Sequence, residues 1–124
     1  MGSVLREVVV DCQDPAALAS FWARVLGWPL TEHGSGYWWL SSTGEVTAPA
    51  PLLVFVPGAP PKGAKNRLHI DVNPSGCDQA EELDRLLALG ARRVDVGQGD
   101  DVPWVVLADP EGNEFCLLGR RVDP

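Results

Sequence analysis

Few side chains in this sequence can move a proton or hold a cation from within an apolar run. Glu7 stands in "VLREVVVDC", His69 and Asp71 stand in "NRLHIDV", and Cys116 stands in "EFCLLG". The other histidine, His33, lies in a polar, Gly-rich stretch. A carboxylate beside an imidazole in a dry pocket can transfer protons. A thiol whose pKa is lowered by a neighbouring imidazole can act as a nucleophile. Each residue also has a plainer role. Glu7 and His69 can form a structural ion pair, and a free cysteine is commonly a small buried hydrophobe.

The elements that carry these groups occur twice along the chain. In the first half, "VLREVVVDC" (4–12) predicts a strand. "DPAALASFWARVLGW" predicts a helix capped by Asp14, with Pro15 in its first turn and Gly27 at its end. "PLTEH" (29–33), "YWWL" (37–40) and "PLLVFV" (51–56) follow as strands. In the second half, "NRLHIDV" predicts a strand. "CDQAEELDRLLALGA" predicts a helix with Asp78 and Glu81 at capping-box spacing, Leu83, Leu86 and Leu87 on its apolar face, and Gly90 at its end. "RRVDV", "PWVVLA" and "EFCLLG" complete the set, and "DPEGN" (109–113) turns between the last two as a hairpin.

The two halves keep register. Glu7 to His69 spans 62 residues, and Val54 to Cys116 spans the same 62. Two βαβββ modules are therefore expected, at about 4–57 and 66–119. The Pro- and Gly-rich "PGAPPKGAKN" (57–66) is read as an exposed linker between them. The fold class is α+β, a single 1–124 domain of two tandem modules. With a helix on one face of each sheet, the other faces would curve around a shared cleft. Alternation then turns Glu7, Val9 and Asp11 one way and Val8 and Val10 the other. It likewise turns His69 and Asp71 one way and Leu68, Ile70 and Val72 the other. The purely apolar sets are expected on the helices and the polar sets in the cleft.

Composition narrows the partners. The chain has 124 residues, 45% hydrophobic and 22% charged, enough for one core. A net charge of −7 with no basic run argues against nucleic acid. No apolar stretch approaches the roughly 20 residues that span a bilayer, and no signal-peptide pattern opens the chain. Three scattered cysteines make neither a disulfide framework nor a zinc knuckle, so a reduced, cytoplasmic protein is expected. Five tryptophans are many for this length. Trp22 belongs to a helix core and Trp28 to a module junction. Trp38 and Trp39 point to opposite faces, with Trp39 assigned to the cleft, and Trp104 is placed near its mouth. Phe55 is assigned to the core. Indole walls suit planar or aromatic ligands. "GSG" (34–36) and "GQGDD" (97–101) are turns, not phosphate loops.

The duplicated module, "DPAALASFWARVLGW", "NRLHIDV" and "LADPEGNEFCLL" together resemble the vicinal oxygen chelate superfamily, in its glyoxalase/bleomycin resistance/dioxygenase branch. The resemblance runs from about Leu5 to Leu118. It implies an incomplete barrel, a homodimer, and a divalent metal held by one residue from the first and last strand of each module. The corresponding positions here are Glu7, Val54, His69 and Cys116. Val54 cannot ligate, and Cys116 stands where the family carries an acid. A hard cation is poorly served by that set. Zinc accepts a mixture of Glu7, His69 and Cys116.

The reading that follows is a small-molecule-binding glyoxalase-like protein with a degenerate metal site and no resident cofactor. Val9, Trp39, Val54, Asp71 and Trp104 are expected to line the ligand. Two alternatives stand beside it. One is a metal-dependent lyase, isomerase or dioxygenase using Glu7, His69 and Cys116, with zinc as its ion. The other is a protein that sequesters an antibiotic.

Overall fold

The two helices begin and end where the capping residues place them. In the computed structural model, which describes residues 1–99 and 101–124, α1 runs Pro15–Leu26. The Asp14 side chain accepts from the Ala17 N–H at 3.1 Å, and Gly27 adopts the left-handed conformation at φ 68°. Helical spacing predicts an apolar face of Leu18, Phe21, Trp22, Val25 and Leu26; the first four are buried, Ala19 joins them, and Leu26 is only half-buried. Phe21 and Trp22 meet edge to face at 5.5 Å. Helix α2 runs Gln79–Leu89, capped by Asp78 through the Glu81 N–H at 2.9 Å and ended by Gly90 at φ 117°. Its buried face departs from expectation. Leu86 is fully buried, Leu83 and Leu87 only half so, and the acidic Glu82 is buried with them. Arg85 offsets that charge with a two-pronged contact at 2.7 and 2.8 Å.

The strands are β1 (Glu7–Cys12), β2 (Leu30–His33), β3 (Tyr37–Leu40), β4 (Leu52–Pro57), β5 (Ile70–Val72), β6 (Arg92–Arg93), β7 (Val105–Ala108) and β8 (Glu114–Leu117). They form two four-stranded sheets of the same topology, β1-β4-β3-β2 and β5-β8-β7-β6. The α+β pair of βαβββ modules is thus present. Its internal repeat extends to single residues. Val9 pairs with Val54 in the first parallel ladder, and Asp71 pairs with Cys116 in the second. In the first sheet α1 covers β3 and β4, where Leu40, Leu53 and Phe55 are buried. In the second, Phe115, Leu107 and Leu117 are buried.

The chain divides into compact units of residues 1–61 and 62–124. The end of the expected linker is therefore part of the second unit rather than a free tether. Lys62 Nζ lies 2.8 Å from Glu114 Oε2, and the Asn66 N–H donates to Glu114 Oε1 at 2.9 Å. These contacts also explain why "NRLHIDV" yields a strand of only three residues. Asn66 is committed to Glu114 and Asn113 instead of a ladder, and Leu68, expected on the helix side, is 83% exposed. The first module is shortened likewise. Residues 4–6 stay outside β1, with Val4 and Leu5 exposed. "RRVDV" stops at Arg93 because Asp95 turns the chain, its carboxylate accepting from the Gly97 N–H at 2.7 Å. Asp100 of the expected 97–101 turn lies outside the described residues.

The "DPEGN" hairpin is built on one carboxylate. Asp109 is 2% exposed. Its Oδ1 accepts from the Glu111 and Asn113 N–H groups at 2.9 and 3.0 Å, and both its oxygens meet Asn113 Nδ2. Gly112 completes the turn at φ 88°. Asn66 Nδ2 then donates to Asn113 Oδ1 at 2.8 Å, fastening the approach to β5 onto the turn. Among the described residues no helix is long and apolar enough to cross a membrane. Asp109→Ala leaves these donors unmatched inside the fold and is expected to lower unfolding free energy by about 2–3 kcal/mol in a urea titration. A midpoint unchanged from the parent protein would show that the turn holds without it.

Candidate functional site

The second sheet carries a concavity of about 420 Å³ on the face opposite Phe115 and Leu107. Strand alternation supplies its floor. On β8 and the residue that follows it, Glu114, Cys116 and Leu118 share one face by their spacing of two. Asp71 is the ladder partner of Cys116, and His69 stands two residues before it, just ahead of β5. Val106, the other ladder partner of Cys116, continues the floor onto β7. Trp104, 39% exposed, and the turn at 96–98 form a wall. Lys65 completes the polar end. The interior is mainly apolar away from that end, a composition typical of small-molecule sites.

Three reactive groups converge there. His69 Nε2 lies 3.1 Å from Asp71 Oδ1, with both side chains about half exposed. His69, Asp71 and Cys116 present nitrogen, oxygen and sulfur atoms all within 4.8 Å of one another. Burial pushes the Cys116 thiol pKa up, and the charge of Asp71 and a hydrogen bond to it push the same way, against a smaller opposing effect of Lys65. Cys116 is therefore a neutral thiol that donates to Asp71. This is the reverse of the lowered pKa that would make it a nucleophile.

Glu114 behaves differently two residues away. Burial alone would raise its pKa, but the Lys62 ammonium and the Asn66 N–H outweigh that and hold it below the ordinary carboxylate range. The contact with Lys62 is an ion pair at 2.8 Å.

Of the residues singled out from sequence, His69, Asp71, Trp104 and Cys116 share this concavity. Glu7, Val9, Trp39 and Val54 belong to the first unit. There Val9, Val54 and Trp39 are consecutive ladder partners on one sheet face, and Glu7, two residues before Val9, pairs with Leu52. Lys65 and Glu114 were not anticipated in the site. Glu114 was legible, since it is two residues from Cys116 on the same strand. Lys65 was not, because it falls in what reads as linker.

The donor set decides which cations suit it. Asp71 alone supplies oxygen, so the cluster does not fit manganese or magnesium, which favour oxygen ligands. It fits zinc in donor type, provided Cys116 loses its proton. Zinc–ligand distances of about 2.0–2.3 Å also require the three groups to draw slightly closer.

Two outcomes follow from these charges. In a Cys77→Ser background, Cys116 should alkylate slowly with iodoacetamide at neutral pH, and Asp71→Asn should speed it by about threefold or more. Mass spectrometry of the labelled peptide measures both, and an unchanged rate in Asp71→Asn would remove the carboxylate from this account. For Glu114 the folded pKa lies below the unfolded one. Its stabilisation is then complete above the ordinary carboxylate range and is lost as pH falls through the folded value. Glu114→Gln should flatten that acid limb in pH-dependent denaturation; an identical limb would contradict it.

Comparison with known proteins agrees with this architecture. The pattern of the glyoxalase-like domain matches residues 7–118. A mutant of the fosfomycin resistance protein FosX from Listeria monocytogenes, complexed with Mn(II) and a dihydroxypropylphosphonic acid, is 16% identical. It superposes with a TM-score of 0.68 over 95% of this chain and 90% of its own. FosX from Mesorhizobium loti is 12% identical, with a TM-score of 0.69 over 97% and 94%. A glyoxalase/bleomycin resistance protein/dioxygenase family enzyme from Burkholderia phytofirmans is 21% identical, with a TM-score of 0.61 over 93% and 97%. The search of curated proteins gives no match. At these identities the structures speak for the fold, and the match over residues 7–118 speaks for the family. The chain belongs to the glyoxalase-like domain family.

Proposed function

We propose that this protein binds a small organic molecule on the open face of its second sheet, at a metal position that has lost its acid. One observation carries the reading. The 420 Å³ concavity is lined by Trp104, Val96, Val106 and Leu118 together with His69, Asp71 and Cys116. That volume lies within the range of about 300–1,000 Å³ common for ligand pockets. Cys116 is a thiol whose one proton is directed to Asp71, where a relative with an acid has a metal ligand. His69, oriented by Asp71, is the group best placed to give or take a proton from what binds. The phosphonate and Mn(II) of the Listeria protein are not carried over, because in the His69–Asp71–Cys116 group only Asp71 offers oxygen and Glu114 is paired with Lys62.

A second reading is favoured by the clustering of His69, Asp71 and Cys116. In it the three side chains hold zinc, and the protein is a lyase, isomerase or dioxygenase of its family. A bound zinc would supply Lewis acidity, while His69 and Asp71 would be spent as ligands rather than in proton transfer.

The two readings separate experimentally. Protein purified without chelator should contain substoichiometric metal by elemental analysis. Its tryptophan emission should change saturably with aromatic compounds, and Trp104→Ala should abolish that change while leaving the far-ultraviolet circular dichroism intact. One zinc per chain, lost in both His69→Ala and Cys116→Ser, would replace the first reading with the second. Unaltered emission and melting temperature across a broad aromatic panel would overturn the binding reading.

A further inference from the structure

The charges around this pocket are unevenly committed, and that imbalance selects a ligand class. Four charged or titratable groups besides the Cys116 thiol line it: Lys65, His69, Asp71 and Glu114. Glu114 is neutralised by Lys62 at 2.8 Å and takes the Asn66 N–H. Asp71 is engaged by His69 at 3.1 Å and by the Cys116 thiol. Lys65 is in no ion pair with any described residue. Lys65 is therefore the charged side chain of this lining with no partner among the described residues, and it is left to meet a ligand even though the chain as a whole is acidic.

Trp104 adds the second constraint. It also lines a neighbouring concavity of about 470 Å³, so Trp104, like Gln98 and Val106, borders both hollows. Arg93 lines the far hollow. The carboxylate there, Asp95, is turned into its own loop by the Gly97 N–H at 2.7 Å. Each hollow that Trp104 borders thus has a basic side chain in its lining, Lys65 in one and Arg93 in the other. A carboxylate paired with a lysine in a partly dry site forms a charge-assisted hydrogen bond, stronger than its neutral counterpart.

We propose that the ligand is a planar aromatic acid, its ring against Trp104 and its carboxylate on Lys65, with Arg93 receiving a second acidic group when one is present. The inference rests on the binding reading above and names the ligand's chemistry. It also assigns specificity to two residues, Lys65 and Arg93, outside the His69–Asp71–Cys116 group.

Matched naphthalene probes test it by calorimetry and tryptophan fluorescence on the full chain. Naphthoate should bind about tenfold more tightly than naphthalenemethanol, and protonated naphthylmethylamine more weakly than either. Lys65→Gln should bring naphthoate to the level of the alcohol without altering the alcohol's own affinity. A naphthalenedicarboxylate should gain over naphthoate, and Arg93→Gln should remove that gain. Equal binding of the three single-substituent probes would overturn the acid preference while leaving the pocket reading intact. Preference for the amine would overturn it in favour of Asp71 as the charge that is read. No binding by any probe would defeat both the inference and the pocket reading on which it rests.

Discussion

The second module depends on a buried carboxylate that gathers the donors of its own turn and, through them, holds a neighbouring segment in place. Asp109 gathers the N–H groups of Glu111 and Asn113 and so fixes how β7 passes into β8. Asn113 passes the constraint to Asn66, and Glu114 holds the same residue by its backbone. The residues between Asn66 and β5 are thereby delivered to the open sheet face without belonging to a strand. His69 and Lys65 owe their places to this fastening. Burying an acid is costly, and here matched donors offset the cost.

Around that scaffold the site is organised by which charges cancel. Glu114 and Lys62 form an ion pair, and His69 lies 3.1 Å from Asp71. Cys116 joins the second as a donor because burial and the nearby carboxylate keep its proton on. A thiol at this position is thus more than the loss of an acid. It reverses the polarity of the hydrogen bond offered to Asp71 and ties up the only oxygen donor in the cluster. Hard cations are disfavoured by the same arrangement that leaves Lys65 uncompensated.

Much of this was readable in the sequence because it depended on local rules. The caps at Asp14, Gly27, Asp78 and Gly90 are set by short-range hydrogen bonds and by φ, and the 62-residue offset reappears as equivalent ladder pairs in both sheets. Alternation alone put His69 and Asp71 on one face. The misses are non-local. Nothing near "PPKGAKN" announces that Lys62 and Asn66 will bind an acid 48 residues further on in the case of Asn66. Nothing near Glu82 announces that it will be buried beside Arg85 while two leucines remain half exposed. Leu68 looks like core by pattern, yet the demands of Asn66 take it out of the ladder.

The residues after β8 do more than finish the chain. Leu118 N–H donates to Val72 O, Val122 N–H to Pro74 O, Asn73 Nδ2 to Arg120 O, and Gly76 N–H to Asp123 Oδ1, all between 2.8 and 2.9 Å. Gly119 passes so near Pro103 that a methyl group there would meet its carbonyl oxygen at 3.0 Å. This tail is a clasp over the loop that leaves β5, and so over the strand bearing Asp71. Trimming it beyond Leu118, or pulling it aside with a fusion partner, would slacken the floor of the pocket from behind.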